Sequence, residues 1–125
     1  MSVRVFKTRP FERFALKHRI TDSELIDAVS RAERGLIDAD LGGGVLKQRL
    51  ARRGQGRSGG FRSILLFRGG EGIFFVYGFA KKDRDNISRD ELLAFRRLAE
   101  ELCGMDTAKL GRAVESGSIV EVWRE

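Results

Sequence analysis

Residues 45–80 read VLKQRLARRGQGRSGGFRSILLFRGGEGIFFVYGFA, and this stretch predicts three antiparallel strands joined by glycine-rich connections. The strands are expected over 45–51, 61–68 and 73–80, with a hairpin turn over 69–72. The third strand is apolar on both faces. Such a strand is typical of the centre of a sheet that is covered on both sides.

The first of these strands alternates in character, so that its two faces differ. Lys47 and Arg49 point to one face, whereas Leu46 and Leu50 point to the other. On the next strand Arg62 stands among apolar residues, and a basic side chain in such a place needs a partner. Two interpretations remain open from the sequence, a salt bridge to a helix acid such as Asp22 or Glu91, or a clamp for phosphate.

The flanking sequence predicts further strands and helices around this central sheet. In chain order they are a strand over 2–8, a helix over 10–18 with Thr8 as a possible N-cap, a helix from the Thr21–Glu24 capping box to Gly35, a loop over 38–44, a helix from the Ser88–Glu91 capping box to Gly104, a short helix capped by Asp106, and a strand over 119–123. Trp123 and Tyr77 are expected to pack on the sheet. The order predicts a single α+β domain over 1–125, built on one twisted sheet.

Composition narrows the chemistry. The chain has 125 residues, one cysteine and one histidine, which excludes an internal disulfide, a CxxC zinc site and a His-based metal cluster. No metal or other cofactor is expected. No run of about 18 apolar residues is present, and the N-terminus lacks the apolar core of a signal peptide, so we expect a cytoplasmic protein with no membrane segment.

The net charge of +6 is concentrated in the middle of the chain. Residues 1–40 carry 8 basic and 7 acidic side chains, and residues 71–125 carry 9 basic and 11 acidic ones. Residues 41–70 carry seven basic side chains and no acidic one, a net charge of +7. A segment of this kind favours a polyanionic partner, nucleic acid first, over an ordinary solvated surface.

Two stretches of this sequence resemble the RelE/HigB-like toxins of type II toxin–antitoxin systems, within the RelE/ParE superfamily. The stretches are Leu46-Lys-Gln-Arg-Leu-Ala-Arg-Arg-Gly-Gln-Gly-Arg-Ser-Gly-Gly-Phe-Arg62 and Phe75-Val-Tyr-Gly-Phe-Ala-Lys-Lys82. The resemblance implies a microbial RNase-type fold: a curved antiparallel sheet with the N-terminal helices on one face, followed by C-terminal helices. It also implies an endoribonuclease that cleaves mRNA on the ribosome without a metal.

Carried over by position, the resemblance assigns the catalytic residues to Lys47, Arg49, Arg62 and Lys82. The residues that would contact RNA are Arg52, Arg53, Arg57, Lys81 and Tyr77. Several members also use a tyrosine near the C-terminal helix, but this chain has Ile87 and Ser88 in that region.

The chemistry is consistent with these assignments. RNA carries its own nucleophile, the 2′-hydroxyl, and its attack on the adjacent phosphate builds negative charge on the non-bridging oxygens. Arg49 and Arg62 are expected to stabilise that charge, because a guanidinium stays ionised and its fork matches phosphate oxygens. Lys47 is the candidate base, and Lys82 the candidate acid or clamp.

The resemblance implies partners as well as a substrate. They are mRNA on the ribosome, with its ribosomal RNA, and a cognate antitoxin with a helix-turn-helix domain through which the pair would bind promoter DNA. An acidic antitoxin segment could cover the basic stretch by charge complementarity. Two alternatives stay open, a ParE-like inhibitor of DNA gyrase and a non-catalytic nucleic-acid-binding module.

Overall fold

The structure is a computed structural model that describes residues 3–50 and 60–124. Six strands in this part of the chain form one sheet in the order β2-β3-β4-β5-β1-β6. The elements are β1 (Arg4–Thr8), α1 (Arg9–Lys17), α2 (Asp22–Glu33), β2 (Ala39–Gly42), β3 (Val45–Leu50), β4 (Phe61–Leu66), β5 (Gly72–Ala80), α3 (Arg89–Cys103), α4 (Thr107–Ser116) and β6 (Ile119–Val122).

The three central strands are those predicted from the sequence. β3 pairs antiparallel with β4, and β4 pairs antiparallel with β5. β5 lies between β4 and β1, and most of its residues are buried. This position explains why its sequence is apolar on both faces.

The chain termini complete the far edge of the sheet. β1 pairs parallel with β5, and β6 pairs antiparallel with β1. The sheet is therefore mostly antiparallel with one parallel pair. Periodicity could not show this pairing, because β1 and β5 are far apart in sequence and their contact depends on tertiary packing.

The predicted loop over 38–44 is wrong in one respect, since it contains the edge strand β2, which pairs with β3. Its glycine-rich composition favours a turn, but the strand precedes the turn. Gly42, Gly43 and Gly44 all have positive φ values, from 67° to 86°. Backbone of this kind is available to glycine at little cost, so the three glycines reverse the chain from β2 into β3.

The helices cover the sheet on both faces. Phe11 of α1 and Leu25 of α2 belong to one buried cluster together with sheet residues such as Leu65. Ala99 of α3 and Leu110 of α4 belong to a second cluster on the opposite face. The predicted placement of the N-terminal helices on one face is confirmed. The second face, under α3, is the one that carries Lys47, Arg49 and Arg62.

The predicted caps differ in how they form. Ser88 and Glu91 form a complete capping box at the start of α3. Thr21 caps α2 by accepting from the backbone N–H of Glu24. Thr8 stands at the N-cap of α1 without a side-chain cap, and its hydroxyl donates to the carbonyl of Phe75 instead.

Two further features concern the surface. Trp123 is 74% exposed, so the expectation that it packs on the sheet is wrong. It follows the last residue of the edge strand β6, where no helix covers it. In the described ranges 3–50 and 60–124, no helix has the length and apolar character needed to span a membrane.

Candidate functional site

The basic residues of β3 and β4 are neighbours across the two strands. Arg49 lies directly opposite Arg62, and Arg62 lies opposite Phe79 of β5. Lys47, two residues before Arg49 on β3, lies opposite Ile64 of β4, which in turn lies opposite Tyr77 of β5. Side chains directly opposite one another on a sheet have Cβ atoms about 5 Å apart, so the register alone gathers these three cations on one small area.

Arg62 is buried, with only 6% of the residue exposed, and its counter-ion is Asp38. Its Nε atom lies 3.3 Å from Oδ2 of Asp38, which stands just before β2. The helix acids considered from the sequence have other partners, because Asp22 pairs with Lys7 and Glu91 pairs with Arg84. The need of Arg62 for a partner is thus met by an acid that lies outside the acid-free segment 41–70.

The same carboxylate also contacts Lys47. The Lys47 Nζ atom lies 3.8 Å from Asp38 Oδ2 and donates to the carbonyl of Asp85 at 3.4 Å. The Lys47 side chain is 15% exposed. Asp38 therefore lies between the ammonium of Lys47 and the guanidinium of Arg62, and joins them in one ionic cluster.

Arg49 is the least neutralised cation of this group. Its Nε atom is buried and, among the described residues, has no hydrogen-bond partner. Two arginines directly opposite each other repel, and among the described residues the carboxylate of Asp38 pairs with Arg62 and Lys47 but not with Arg49. We call Lys47, Arg49, Arg62 and Asp38 the β3–β4 cluster. Its formal charge is +2, because it has three cations and one anion.

A buried glutamine fixes the position of Asp38. Gln48 is 1% exposed, and its Nε2 donates to the carbonyls of Ala28 and Leu36 at 3.0 and 2.9 Å. Its Oε1 accepts from the backbone N–H of Asp38 at 3.2 Å. This side chain ties α2 and the segment before β2 to β3. A glutamine on the otherwise apolar face of β3 was the sequence signal for such a tie.

A cavity of about 330 Å³ opens beside the cluster. Its lining residues are Arg31, Leu36, Ile37, Asp38, Gln48 and Arg49. Two arginines and one aspartate are among the lining residues, and Arg31 donates to the backbone carbonyl of Arg49 at 2.8 Å. A polar anionic group suits these walls better than an apolar one.

Tyr77, predicted to contact RNA, is held by a residue that the sequence analysis missed. Arg84 donates to the Tyr77 hydroxyl at 3.1 Å and pairs with Glu91 at 2.6 Å. Its guanidinium also lies over the rings of Tyr77 and Phe79. The Arg84 hydrogen bond, with help from the Ser88 backbone N–H, lowers the pKa of Glu91 to about 2. A cation soon after the YGFA strand was the available signal.

The other predicted residues lie at one end of the sheet or outside the described part. Lys81 and Lys82 are exposed in the turn that follows β5. Leu50, Phe61 and Ala80 pair across the sheet, so this turn is at the end where β3 leads towards β4. Arg52, Arg53 and Arg57 belong to the connection between those strands and lie outside the described residues.

The single histidine of the chain, His18, lies away from this cluster. His18, at the end of α1, packs against the rings of Phe14 and Phe61, with centroids 4.6 and 4.9 Å away. It belongs to the face opposite the β3–β4 cluster. Within residues 3–50 and 60–124, no three His, Cys, Asp or Glu side chains come close enough together to hold a metal ion.

Comparison with known protein families identifies the family of this chain. Residues 3–122 match the family model described as the RelE toxin of the RelE/RelB toxin–antitoxin system. The chain belongs to the RelE toxin family. No curated protein is similar enough to this RelE toxin to be counted as a match.

Membership defines the general role of the protein. It is the toxin of a toxin–antitoxin system, and RelE toxins pair with an antitoxin. Toxins of the RelE family are generally endoribonucleases. The β3–β4 cluster of this toxin offers what such a reaction needs in electrostatic terms, namely fixed cations in partial burial, where they act on a phosphate more strongly than in water.

Proposed function

We propose that this RelE toxin is a ribosome-dependent mRNA endonuclease whose reaction runs on the β3–β4 cluster without a metal. The observation that supports the proposal is the convergence of Lys47, Arg49 and Arg62 on one face with a formal excess of two positive charges. The Arg4–Glu121 ion pair, by contrast, has one cation and one anion. In a family of endoribonucleases, a cluster with excess positive charge is suited to binding a phosphate group of RNA.

The proposed reaction is attack by the RNA itself. The 2′-oxygen forms a bond to the adjacent phosphorus while the bond from phosphorus to the 5′-oxygen breaks. The 2′-hydroxyl loses its proton, and the leaving 5′-oxygen gains one, so the products are a 2′,3′-cyclic phosphate and a 5′-hydroxyl. Arg49 and Arg62 stabilise the charge on the non-bridging oxygens, which is greater in the transition state than in the ground state.

Proton transfer is assigned to the lysines, because an arginine is a poor proton shuttle. Lys47 lies in the cluster and is the proposed base. Lys82, in the exposed turn after β5, is the proposed acid or a clamp on the RNA backbone. The ribosome would supply part of the orientation that so small a site lacks. Because the proposed substrate is mRNA on a translating ribosome, the cytoplasm is the proposed location.

The RNA-binding surface is proposed to extend from the cluster towards the end of the sheet. Lys81, Arg52, Arg53 and Arg57 supply positive charge for the RNA backbone. Tyr77 packs against Phe79 and Phe95, with ring centroids 6.0 and 5.8 Å away, and its hydroxyl oxygen accepts a hydrogen bond from Arg84. This packing supports a role for Tyr77 in holding Arg84 at the site as well as in contacting RNA.

The proposed antitoxin covers the same face. An acidic segment would neutralise the +2 cluster and the basic connection between β3 and β4, and so would exclude RNA from both. A helix-turn-helix domain on the antitoxin would let the pair bind its own promoter DNA. A reading frame beside the toxin gene that encodes a small protein with both features would support this part of the proposal.

The test is a cell-free translation reaction in which mRNA is mapped by primer extension. We expect the toxin to cut mRNA within codons on ribosomes, and we expect Arg62→Ala to slow this cleavage about 100-fold or more. Arg112→Ala is the matched control, because it removes an exposed arginine from α4, which packs against β6 at the far edge of the sheet. Arg62→Lys keeps the charge if the alanine variant fails to fold.

Other outcomes would replace the proposal. Inhibition of DNA supercoiling by gyrase with intact mRNA would indicate a ParE-like toxin. RNA binding with a steep salt dependence and no cleavage would indicate a binding module. If Arg62→Ala cleaves mRNA as fast as wild type, the toxin is an mRNA endonuclease but its active site does not include Arg62.

A further inference from the structure

The acid within the β3–β4 cluster has no role in the reaction proposed above. Asp38 stands between Arg62 Nε, at 3.3 Å, and Lys47 Nζ, at 3.8 Å. Its side chain is 25% exposed, so it can meet a ligand that approaches the cluster. A carboxylate here opposes the binding of a phosphate, and its presence at a phosphate site therefore needs an explanation.

The placement of Asp38 is enforced by the fold. The buried Gln48 side chain binds the backbone N–H of Asp38 and, two residues earlier, the carbonyl of Leu36. A third hydrogen bond joins the same side chain to Ala28 of α2. Two of these bonds hold the segment 36–38 against β3 and the third joins β3 to α2, so the backbone that carries the carboxylate is fixed.

We infer that Asp38 is a positioning residue that holds Arg62 and Lys47 in place for an RNA phosphate, and occupies the position of an anion while RNA is absent. The inference rests on the proposed function and adds a residue to it. Asp38 lies beside Nε of Arg62, and Nη1 donates to the carbonyl of Phe61 at 3.5 Å, so Nη2 is the nitrogen that we assign to the phosphate. A side chain locked by a neighbour loses less freedom when it binds its ligand.

The cluster needs such a residue because its cations repel each other. Arg49 and Arg62 are directly opposite on adjacent strands, and Arg62 is almost fully buried. A buried charge without a partner is strongly unfavourable, whereas a buried pair fixes geometry. Asp38 supplies that partner with one of its oxygens and leaves the cluster with a net positive charge for RNA.

This arrangement predicts opposite effects on binding and on cleavage. Removing the carboxylate removes its repulsion of the phosphate, so RNA should bind Asp38→Ala about threefold more tightly at low salt. The same change releases Arg62 and Lys47 from their positions, so the single-turnover rate of cleavage should fall about tenfold or more. A residue that only stabilised the fold would weaken both.

The experiment compares wild-type toxin with Asp38→Ala, Asp38→Asn and the control Glu115→Ala. Glu115 is exposed on α4, so its loss changes the net charge equally and does not touch the cluster. RNA affinity is measured with a short single-stranded RNA, and cleavage with mRNA on programmed ribosomes under single-turnover conditions. The Nε–H signal of Arg62, assigned by its loss in Arg62→Lys, is followed by NMR in the ¹⁵N-labelled full chain.

We expect Asp38→Asn to keep a rate within about threefold of wild type, because a side chain of the same size keeps an oxygen beside Arg62 Nε. We expect Asp38→Ala to bind more tightly, cut more slowly and lose the protected Nε–H signal. If both variants lose the same amount of rate, and their pH–rate profiles lack one of the two slopes seen for wild type, Asp38 transfers a proton in the reaction. That result would overturn its role as a positioning residue. Unchanged rates, or weaker RNA binding, would also overturn it.

The inference can fail separately from the proposed function. If wild-type toxin cuts no mRNA, the proposed function fails. The Nε–H signal and the RNA affinity then still decide whether Asp38 holds Arg62 for a phosphate. If wild-type toxin cuts mRNA and Asp38→Ala cuts it equally fast, the proposed function stands and the inference is wrong.

Discussion

The arginines near the two edges of the sheet differ in how far acidic residues neutralise their charge. At the β1–β6 edge, Arg4 donates from Nε and Nη2 to the two carboxylate oxygens of Glu121, at 2.9 and 2.8 Å. The hydrogen bond to Glu121 raises the pKa of Arg4, and its guanidinium lies 5.0 Å from the ring centroid of Phe6. Towards the other edge, Arg49 and Arg62 face each other across β3 and β4, and the carboxylate of Asp38 pairs with Arg62 and Lys47 but, among the described residues, not with Arg49.

The difference shows how a structural arginine can be told from a candidate functional one. The charge of Arg4 is neutralised by Glu121 through two hydrogen bonds, so no excess positive charge is left to bind an anionic ligand. The β3–β4 cluster keeps a formal excess of +2 in a partly buried place, at a cost in mutual repulsion. That cost has a purpose if a phosphate completes the site.

The strongest test of this contrast compares Arg62→Ala with Arg4→Ala. We expect Arg62→Ala to lower the rate of mRNA cleavage about 100-fold or more, because it removes a guanidinium from the developing charge. Arg4→Ala should leave the rate within about twofold, yet lower the free energy of unfolding by about 1 kcal/mol or more, because it removes the partner of Glu121, whose side chain is only 6% exposed. The rate comes from single-turnover cleavage, and the free energy from urea denaturation.

A similar loss of rate in both variants, at temperatures where both are folded, would contradict the contrast. It would mean that the balanced arginine and the clustered one contribute equally to the reaction. Circular dichroism of each variant provides the check on folding.

Arg49 should show the next largest effect, and on binding. Arg49→Ala should weaken RNA binding about tenfold at low salt and lower the slope of log affinity against log salt by about 0.7, the amount expected for one phosphate contact to a single strand. The measurement is a titration at several salt concentrations, with Arg112→Ala as the control. An unchanged slope would remove Arg49 from the RNA-binding surface.

The ion pair between Arg84 and Glu91 is a second neutralised arginine, and its contribution to stability depends on pH. Glu91 has a pKa lowered from 4.5 to about 2 in the folded protein, so its contribution to stability is present above pH 4.5 and is lost as the pH falls towards 2. Both side chains are about one-third exposed, and water screens the pair. We expect Glu91→Gln to lower the free energy of unfolding at neutral pH by about 1 kcal/mol.

The same substitution should have almost no effect near the bottom of that pH range. Glutamine can still serve the capping box at Ser88, so Glu91→Gln isolates the charge from the cap. The measurement is urea denaturation of both proteins at neutral and acid pH. A difference that stays constant over that range would show that the charge of Glu91 contributes nothing.

Lys82 should give the smallest effect of the four. It is exposed in the turn after β5, outside the partly buried cluster, and water weakens its attraction to phosphate. Lys82→Ala should slow cleavage about threefold, as for one surface charge. Lys109→Ala on α4 is the matched control, since Lys109 is also exposed. A loss as large as that of Arg62→Ala would show that Lys82 transfers a proton in the reaction.

Local patterns predicted most of the fold. The alternation in β3, the double-sided apolar run in β5 and the caps at Thr21 and Ser88 each correspond to an element of the structure. The edge strand β2 was missed because three consecutive glycines dominate its neighbourhood. The exposure of Trp123 was missed because it depends on which elements cover the far edge of the sheet.

The site was predictable as a set of cations and not as a set of contacts. Alternation placed Lys47 and Arg49 on one face, and the need of Arg62 for a partner followed from its apolar neighbours. The identity of that partner did not follow, because Asp38 reaches the cluster only through the pairing of β2 with β3 and through Gln48. Contacts of this kind depend on strand register.

The most direct test of the central claim is whether Arg62 contacts the phosphate that is cut. After the cleavage position on programmed ribosomes is mapped, one non-bridging oxygen of that phosphate is replaced by sulfur, in each stereoisomer. We predict that one isomer slows cleavage by wild-type toxin about tenfold more than cleavage by Arg62→Ala, since sulfur accepts a weaker hydrogen bond from the guanidinium. The same sulfur effect in both proteins, for both isomers, would contradict the account.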